Sequence, residues 1–251
     1  MIVNFLIGII AGVFGGLVGL GGGVLMIPLM VSMKKIGQHK AHGTSLVAVV
    51  FTGIIGAIIY VLHNALDVWA AILISVAAMW PARYGAKYCC EVPELKLKRA
   101  FGVFLIIVSF FVLLKPYLPS LPYSDMNASK ALILLIIGVA TGFVSGVMGV
   151  GGGPIMISGM VLLAGFDQHT AQGSSLLAMV PLGAVGAFTH WRLGNVDTGL
   201  LKGLIPGIII GTYAGGSYAH LLPELTLRVI FAAVLIWTGS RYVKSPVSSC
   251  E

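Results

Sequence analysis

Two clusters of glycine interrupt apolar runs of the chain, and their spacing suggests a chemical role. Neither cluster is a phosphate-binding P-loop, because no Lys-Ser/Thr pair follows, and no strand precedes them as in a dinucleotide-binding turn. Glycines unwind a helix, and the short apolar arms that begin at Val24 and Pro154 would each point free N–H groups at the membrane middle. Two such helix N-termini predict an anion site built from backbone. The candidate binding residues are Gly19, Gly21, Gly22, Gly23, Gly149, Gly151, Gly152, Gly153 and Pro154.

Paired hydroxyls occupy equivalent places in the two halves of the chain. We expect them at helix starts, where they can donate to an oxyanion or simply cap the helix, and both alternatives stay open. Arg83 is a possible entrance residue that attracts anions, or its side chain extends to the membrane interface. The hydroxyl candidates are Thr44, Ser45, Ser174 and Ser175.

No residue set for catalysis, metal binding or a cofactor stands out. A membrane enzyme needs an acid, base, thiol pair or metal cluster inside the spans, and a cation site normally recruits a carboxylate there. The three cysteines have no CxxC spacing, so we expect no zinc, no redox chemistry and no cofactor. Each acidic residue lies at the end of an apolar segment or in a loop: Asp67, Glu91, Glu94, Asp125, Asp167, Asp197, Glu224 and Glu251.

The composition requires a lipid environment. Hydrophobic residues make up 58% of the 251-residue chain and charged residues 9%, and the mean hydropathy is +1.01. A soluble domain carries roughly 25% charged residues. The apolar runs are continuous rather than alternating, which predicts transmembrane helices rather than a barrel. The net charge of +7 lies in short loops between these runs, which argues against a nucleic-acid partner.

A shift of 130 residues aligns the chain with itself. It superposes the glycine clusters, Gln38-His39 on Gln168-His169, and Asp67 on Asp197. We therefore divide the chain into a first repeat over 1–118, a linker over 119–130 and a second repeat over 131–251. The predicted apolar segments are 2–33, 43–62, 68–88 and 97–118, then 131–165, 173–191, 198–220 and 226–243.

Basic residues decide the predicted orientation. If the glycine-broken segment of each repeat crossed once, lysines and arginines would divide nine to six between the two sides. If it is a hairpin that returns to its own side, the division is twelve to three, as the positive-inside rule requires. The prediction is an all-α polytopic protein of two inverted repeats, each with a glycine-broken helical hairpin followed by three transmembrane helices. Both termini are cytoplasmic, and the N-terminus is mature protein rather than a signal peptide. Re-entrant hairpins and pairs of short spans remain alternatives.

These motifs resemble the TauE/SafE sulfite exporter family, also called the TSUP transporters. The resemblance rests on 15–23, on 142–154 and on Ala41 to Leu46, and it covers nearly the whole chain. It implies export of sulfite or organosulfonates across the bacterial inner membrane. The first cluster departs from the second by having Val24 where the second has Pro154.

The residues thus predict a secondary transporter of small anions and not an enzyme, and the resemblance implies that it exports sulfur-containing anions such as sulfite. A passive anion channel is the alternative, and a membrane-embedded enzyme the more distant one. The predicted partners are the anion and the lipid bilayer, and the oligomeric state is left open.

Overall fold

The chain folds entirely into helices wherever its structure is described. A computed structural model describes residues 1–88, 94–114, 128–148 and 151–243, and these form ten α-helices without a strand. The all-α polytopic prediction is confirmed. The helices are α1 (Ile2–Val18), α2 (Gly23–Lys34), α3 (Gln38–Leu62), α4 (Val68–Tyr88), α5 (Glu94–Leu114), α6 (Ala128–Met148), α7 (Gly153–Leu162), α8 (Gln168–Arg192), α9 (Thr198–Ala219) and α10 (Glu224–Val243).

The outer faces of the helices are suited to lipid. Large apolar side chains such as Ile58, Trp69, Phe110 and Trp191 are exposed on them. Four stretches of described helix are long and apolar enough to cross a bilayer by themselves. These stretches are Lys40–Leu62, Ala128–Ser145, Gln168–Arg192 and Glu224–Val243.

Helix boundaries follow the apolar runs except where polar turns extend them. Both glycine-broken segments divide into a long and a short helix, as predicted. In contrast, α3 and α8 begin at Gln38 and Gln168, five residues before the predicted starts, because polar first turns continue each helix. Asp167 caps α8 by accepting from the Thr170 N–H at 2.9 Å. The start of α6 at Ala128 lies inside the predicted linker, and residues 115–127 lie outside the described part.

The antiparallel pair of α3 and α8 forms the centre of the fold. Gly43, near the start of α3, packs against Asn195 and His190 at the end of α8. Farther along α3, Gly53 packs against Leu176, near the start of α8. The two helices therefore run in opposite directions. We name the two ends of this pair the Gln38 end and the Gln168 end, after the residues that begin α3 and α8.

The two halves of the chain contact each other through two equivalent pairs of helices. α1 packs along α9, and its counterpart α6 packs along α4. A methyl group at Gly8 would come 2.5 Å from the Leu204 carbonyl oxygen, and one at Gly138 would come 2.6 Å from that of Ile74. The 130-residue shift relates Gly8 to Gly138 and Ile74 to Leu204, so the two contacts are equivalent.

Each glycine-broken segment leaves from one end and returns to it. The start of α1 packs against Gly203 near the start of α9, at the Gln38 end, and α2 leads back to Gln38. At about 1.5 Å per residue, α2 and α7 are roughly 18 and 15 Å long, which is less than the ~30 Å hydrocarbon core. α10 begins beside Gln168, since Glu224 accepts from its backbone N–H at 3.0 Å. It therefore ends at the Gln38 end, where the chain also begins.

Glycine is required where α6 and α4 touch. A methyl group at Gly142 would lie 2.1 Å from the Ala78 carbonyl oxygen, so Gly142→Ala must separate the helices. We expect the variant to lose roughly 1–3 kcal/mol of stability through overpacking. Thermal unfolding of the purified protein measures this. Gly37→Ala is the control, because nothing described lies within 4 Å of a methyl group there. Equal melting temperatures for the two variants would contradict close packing at Gly142.

Candidate functional site

The first glycine break ends one helix and begins another. Gly19 ends α1 at φ 75°, and Gly22 precedes α2 at φ 72°, a left-handed conformation that glycine adopts without strain. The first N–H groups of α2 that bond back to the Gly22 carbonyl belong to Leu25 and Met26. Those of Gly23 and Val24 precede the helical hydrogen bonds and carry the positive end of the helix dipole.

The second break repeats this geometry with one donor fewer. Gly152 precedes α7 at φ 75°, and the N–H groups of Ile155 and Met156 bond back to its carbonyl, each at 3.1 Å. Pro154 lies in the first turn, as predicted, and has no N–H to offer. Gly149 lies outside the described residues.

The two breaks meet at the middle of the α3–α8 pair. A methyl group at Gly21 would come 2.8 Å from the Met179 sulfur, and one at Gly153 would come 2.4 Å from the terminal carbon of the same side chain. A methyl group at Gly153 would also lie 3.1 Å from the Leu20 Cα. Met179 is midway along α8. The structure thus brings the predicted glycines together, with the two helix N-termini beside one methionine.

The two glycine breaks differ in how closely other residues pack against them. Gly21 is packed against Val49 and Met179, whereas nothing described lies within 4 Å of a methyl group at Gly151. Gly22 faces the backbone of Ala11, and Gly152 faces the repeat-equivalent side chain of Thr141. Thr141 is fully buried, and its hydroxyl has no partner among the described groups. The second break is therefore less tightly packed at Gly151, and the residue beside it carries a buried hydroxyl that the first break lacks.

A row of buried side chains on one face of α8 extends from the Gln168 end to the glycine breaks. Gln168, Gln172, Ser175 and Met179 follow at helical spacing, and all four are almost completely buried. Ser175 donates to the Gly19 carbonyl at 2.8 Å, and Gln172 packs directly on Gly19. Both amide atoms of Gln168 and the amide nitrogen of Gln172 lack a partner among the described residues. Buried amides without partners are rare, and they offer donors to a polar ligand.

Tyr60 completes this polar surface from α3. Its hydroxyl lies 3.0 Å from the side-chain oxygen of Gln172 and 3.1 Å from the Gly16 carbonyl, and its proton is shared between these two acceptors. The fully buried tyrosine therefore ties α3 to α8 and to the last turn of α1.

A family model described as sulfite exporter TauE/SafE matches residues 4–242. The chain belongs to the TauE/SafE family. It is a membrane transporter of that family, in agreement with the expectation that it is not an enzyme.

Relatives in bacteria and plants carry related names. The probable membrane transporter protein YunE of Bacillus subtilis is 24% identical, with 99% of each chain covered. The probable membrane transporter protein YdhB of the same organism is 26% identical over 91% of this chain and 92% of its own. Sulfite exporter TauE/SafE family protein 5 of Arabidopsis thaliana is 28% identical over 49% of this chain and 28% of its own.

The hydroxyl pairs of this TauE/SafE chain do not begin helices, and that expectation is wrong. Thr44 and Ser174 lie in the second turns of α3 and α8 and are fully buried. Thr44 accepts from the Asp197 N–H at 3.0 Å, and Ser174 accepts from the Asp67 N–H at 2.9 Å. Each hydroxyl thus anchors the loop before a helix of the other repeat. Among the four predicted hydroxyls, the described contacts bring only Ser175 to a glycine break; Ser45 donates to the His42 carbonyl.

Other predicted features are placed as follows. The side chain of Arg83 lies outside the described part, while its backbone belongs to the half of α4 that approaches the Gln38 end. No cluster of metal ligands occurs among the described residues. A small pocket beside the first break is lined by apolar side chains including Phe14, Val18, Leu25 and Val234, and it offers an anion no polar side chain.

Sequence reasoning missed Tyr60, Thr141, Gln168, Gln172 and Met179. A usable signal existed for the two glutamines, because Gln168, Gln172 and Ser175 recur at i, i+4 and i+7 in an apolar helix. No comparable pattern marks Thr141 or Met179, whose roles depend on contacts between distant segments.

Removal of the Thr44 hydroxyl separates its structural role from a binding role. Thr44→Ala leaves the Asp197 N–H without its acceptor, and we expect it to be about 1–3 kcal/mol less stable than Thr44→Ser, which keeps the oxygen. Thermal unfolding and anion calorimetry on both variants measure this. Weaker anion binding by Thr44→Ala at unchanged stability would instead place the hydroxyl in the binding site.

Proposed function

We propose that the protein is a secondary transporter that exports small sulfur-containing anions such as sulfite or organosulfonates across the bacterial inner membrane. The observation that carries this proposal is the meeting of both glycine breaks, each with a helix N-terminus, midway along α3 and α8. Helix N-termini in a buried site attract negative charge without a charged side chain. The carboxylates of Asp67, Asp167, Asp197 and Glu224 belong to the ends of helices, so none of them repels an anion at this junction.

The same arrangement supports an inverted topology, which is part of the proposal. Repeat-equivalent helices α3 and α8 run antiparallel, and both hairpins return to the end from which they start. The described basic side chains are concentrated at the Gln38 end, and Lys130 and Arg228 are at the other. The positive-inside rule then assigns the Gln38 end, with both termini, to the cytoplasm. The basic side chains of the Gln38 end are Lys34, Lys35, Lys40, Arg99, Arg192, Lys202 and Arg241.

The unequal breaks favour a carrier over a passive channel. In an inverted repeat, the two halves exchange conformations when access alternates between the membrane faces. A methyl group at Gly21 would meet Met179 and Val49, whereas nothing described lies within 4 Å of one at Gly151, so the two breaks have different described surroundings. A channel needs no such difference between its halves.

Single cysteines report the topology. In a variant with Cys89, Cys90 and Cys250 replaced by serine, Asn64→Cys and Leu163→Cys should react with an impermeant maleimide from outside the cell. Gly37→Cys and Leu193→Cys should react only after permeabilisation. All four positions are exposed, so access reports the side of the membrane. Labelling of Gly37→Cys and Leu163→Cys from one face would mean parallel repeats.

Gly151→Asn tests the anion site by adding a polar side chain at the second break, where nothing described lies within 4 Å of a methyl group. Asparagine tolerates the left-handed φ of 82° at this position. We expect saturable uptake of sulfite or sulfoacetate into proteoliposomes by the wild type and at least about tenfold weaker binding, 1.4 kcal/mol, in the variant.

Gly194→Asn is the control, because Gly194 has φ 72° and lies exposed in the α8–α9 loop, where nothing described lies within 4 Å of a methyl group either. Full binding by both variants would exclude the second break. Transport of chloride and sulfate at the same unsaturable rate as sulfite would indicate a channel.

A further inference from the structure

Histidines gather at both ends of the α3–α8 pair. The chain has six histidines, and none lies midway along a helix. His63, His169 and His220 lie at the Gln168 end, where α3 and α9 finish and α8 begins. At the Gln38 end, α3 carries His39 and His42 in its first turns, and α8 carries His190 in its last turn.

The three rings at the Gln168 end form one stack. The rings of His63 and His220 are 4.0 Å apart and nearly parallel, at 5°. The ring of His169 lies 5.4 Å from that of His220, at 20°. Two of the rings are fixed by backbone oxygens: the His63 Nδ1 lies 2.9 Å from the Ile59 carbonyl, and the His169 Nε2 lies 3.3 Å from the Ala219 carbonyl. We call these three residues the histidine stack.

The histidine stack covers the outer end of the polar surface that reaches the first break. The Tyr60 ring meets that of His220 edge to face at 4.6 Å. From there the Tyr60 hydroxyl reaches Gln172 and the Gly16 carbonyl, and Ser175 follows one turn deeper at the Gly19 carbonyl. A displaced His220 would therefore expose Tyr60 and, behind it, the buried amide of Gln172.

The carboxylates at this end have other partners. Asp67 accepts from the Ala70 N–H and Asp167 from the Thr170 N–H, each at 2.9 Å. Glu224 accepts from the Gln168 N–H and pairs with Arg228 on α10. None of these contacts is to a ring of the stack, and Arg228 adds a positive charge to the same end.

Positive charge on the stack is consequently unfavourable while the rings stay together. Burial, followed by the charges of His63 and His169, lowers the pKa of His220, in the turn after α9, to about 4. A pKa lowered in the closed arrangement means that its stability is complete above the ordinary histidine pKa of about 6.5. That stability is lost as the pH falls from there toward 4.

We propose that transport is coupled to protons and that protonation of His63, His169 and His220 opens the Gln168 end of the polar path. This inference rests on the proposed transport function and adds its driving ion. The rings of His63 and His220 are 4.0 Å apart and the carboxylates at this end have other partners, so positive charge on the stack favours separation of the rings and exposure of Tyr60.

The repeat-equivalent positions supply proton-binding groups at the other end. Tyr60 and Gln172 correspond to His190 and His42, and a methyl group at Gly43 would come 3.0 Å from the His190 Cβ. A proton taken up at the histidine stack can be released at the Gln38 end while an anion moves in the opposite direction. Both movements carry positive charge toward the Gln38 end, so a membrane potential negative at that end drives the export.

Cysteine accessibility tests the gate without any substrate. In the variant lacking the three native cysteines, Ser175→Cys places a thiol directly behind Gln172 and Tyr60. Its maleimide labelling rate is divided by that of the exposed Asn64→Cys, which removes the pH dependence of thiol chemistry. We expect this ratio to rise about tenfold from pH 8 to pH 5, two values that lie on either side of the ordinary histidine pKa. Combined His63→Gln, His169→Gln and His220→Gln replacements should abolish that rise. An equal ratio at both pH values, or an unchanged rise in the triple variant, would overturn the gate.

Proteoliposomes test the coupling separately from the transport function. Methanesulfonate is the probe, because it stays ionised over this pH range and carries no proton of its own. A methanesulfonate gradient should move protons the opposite way, detected by a trapped pH-sensitive dye, and the triple variant should lose proton movement. Sulfonate flux without proton movement would overturn the coupling and leave the proposed function intact. An absence of flux for both methanesulfonate and sulfite would overturn the proposed function, while the labelling result would still decide the gate.

Discussion

Backbone N–H and C=O groups that leave a helix cannot face lipid, and the two glycine breaks depend on the α3–α8 pair that encloses them. The pair supplies Ser175 to the Gly19 carbonyl, Tyr60 to the Gly16 carbonyl and the Met179 side chain to both breaks. The outer helices pack around this centre through glycines, at which the backbone of one helix comes into contact with the backbone of another.

Much of the helical architecture could be predicted from the apolar runs and the repeat. The bounds of α4 agree with the predicted segment 68–88, and α1 begins where the predicted segment 2–33 begins, since an apolar run starts with each helix. Thr44 and Ser174 were misplaced because Gln38 and Gln168 begin polar turns that hydropathy assigns to loops. The partners of these hydroxyls, Asp197 and Asp67, belong to the opposite repeat, and no local pattern connects residues so far apart.

Aligned positions of the two halves make similar contacts but carry different side chains. Ala11 and Thr141 occupy equivalent places beside the glycines that precede α2 and α7, and Gly22 meets the backbone carbonyl of Ala11 whereas Gly152 meets the side-chain methyl group of Thr141. Tyr60 and Gln172 are matched by His190 and His42. Positions that the 130-residue shift aligns therefore contact the breaks in both halves, while the side chains at those positions differ.

The packing of α1 along α9 also constrains the order in which the protein can assemble. α1 is synthesised before α9, the partner for its glycine face, and seven helices of the described part lie between them along the chain. During that interval the small-residue face of α1 has no native partner in the membrane. The native contacts of α1 can therefore form only after the second half of the chain has been inserted.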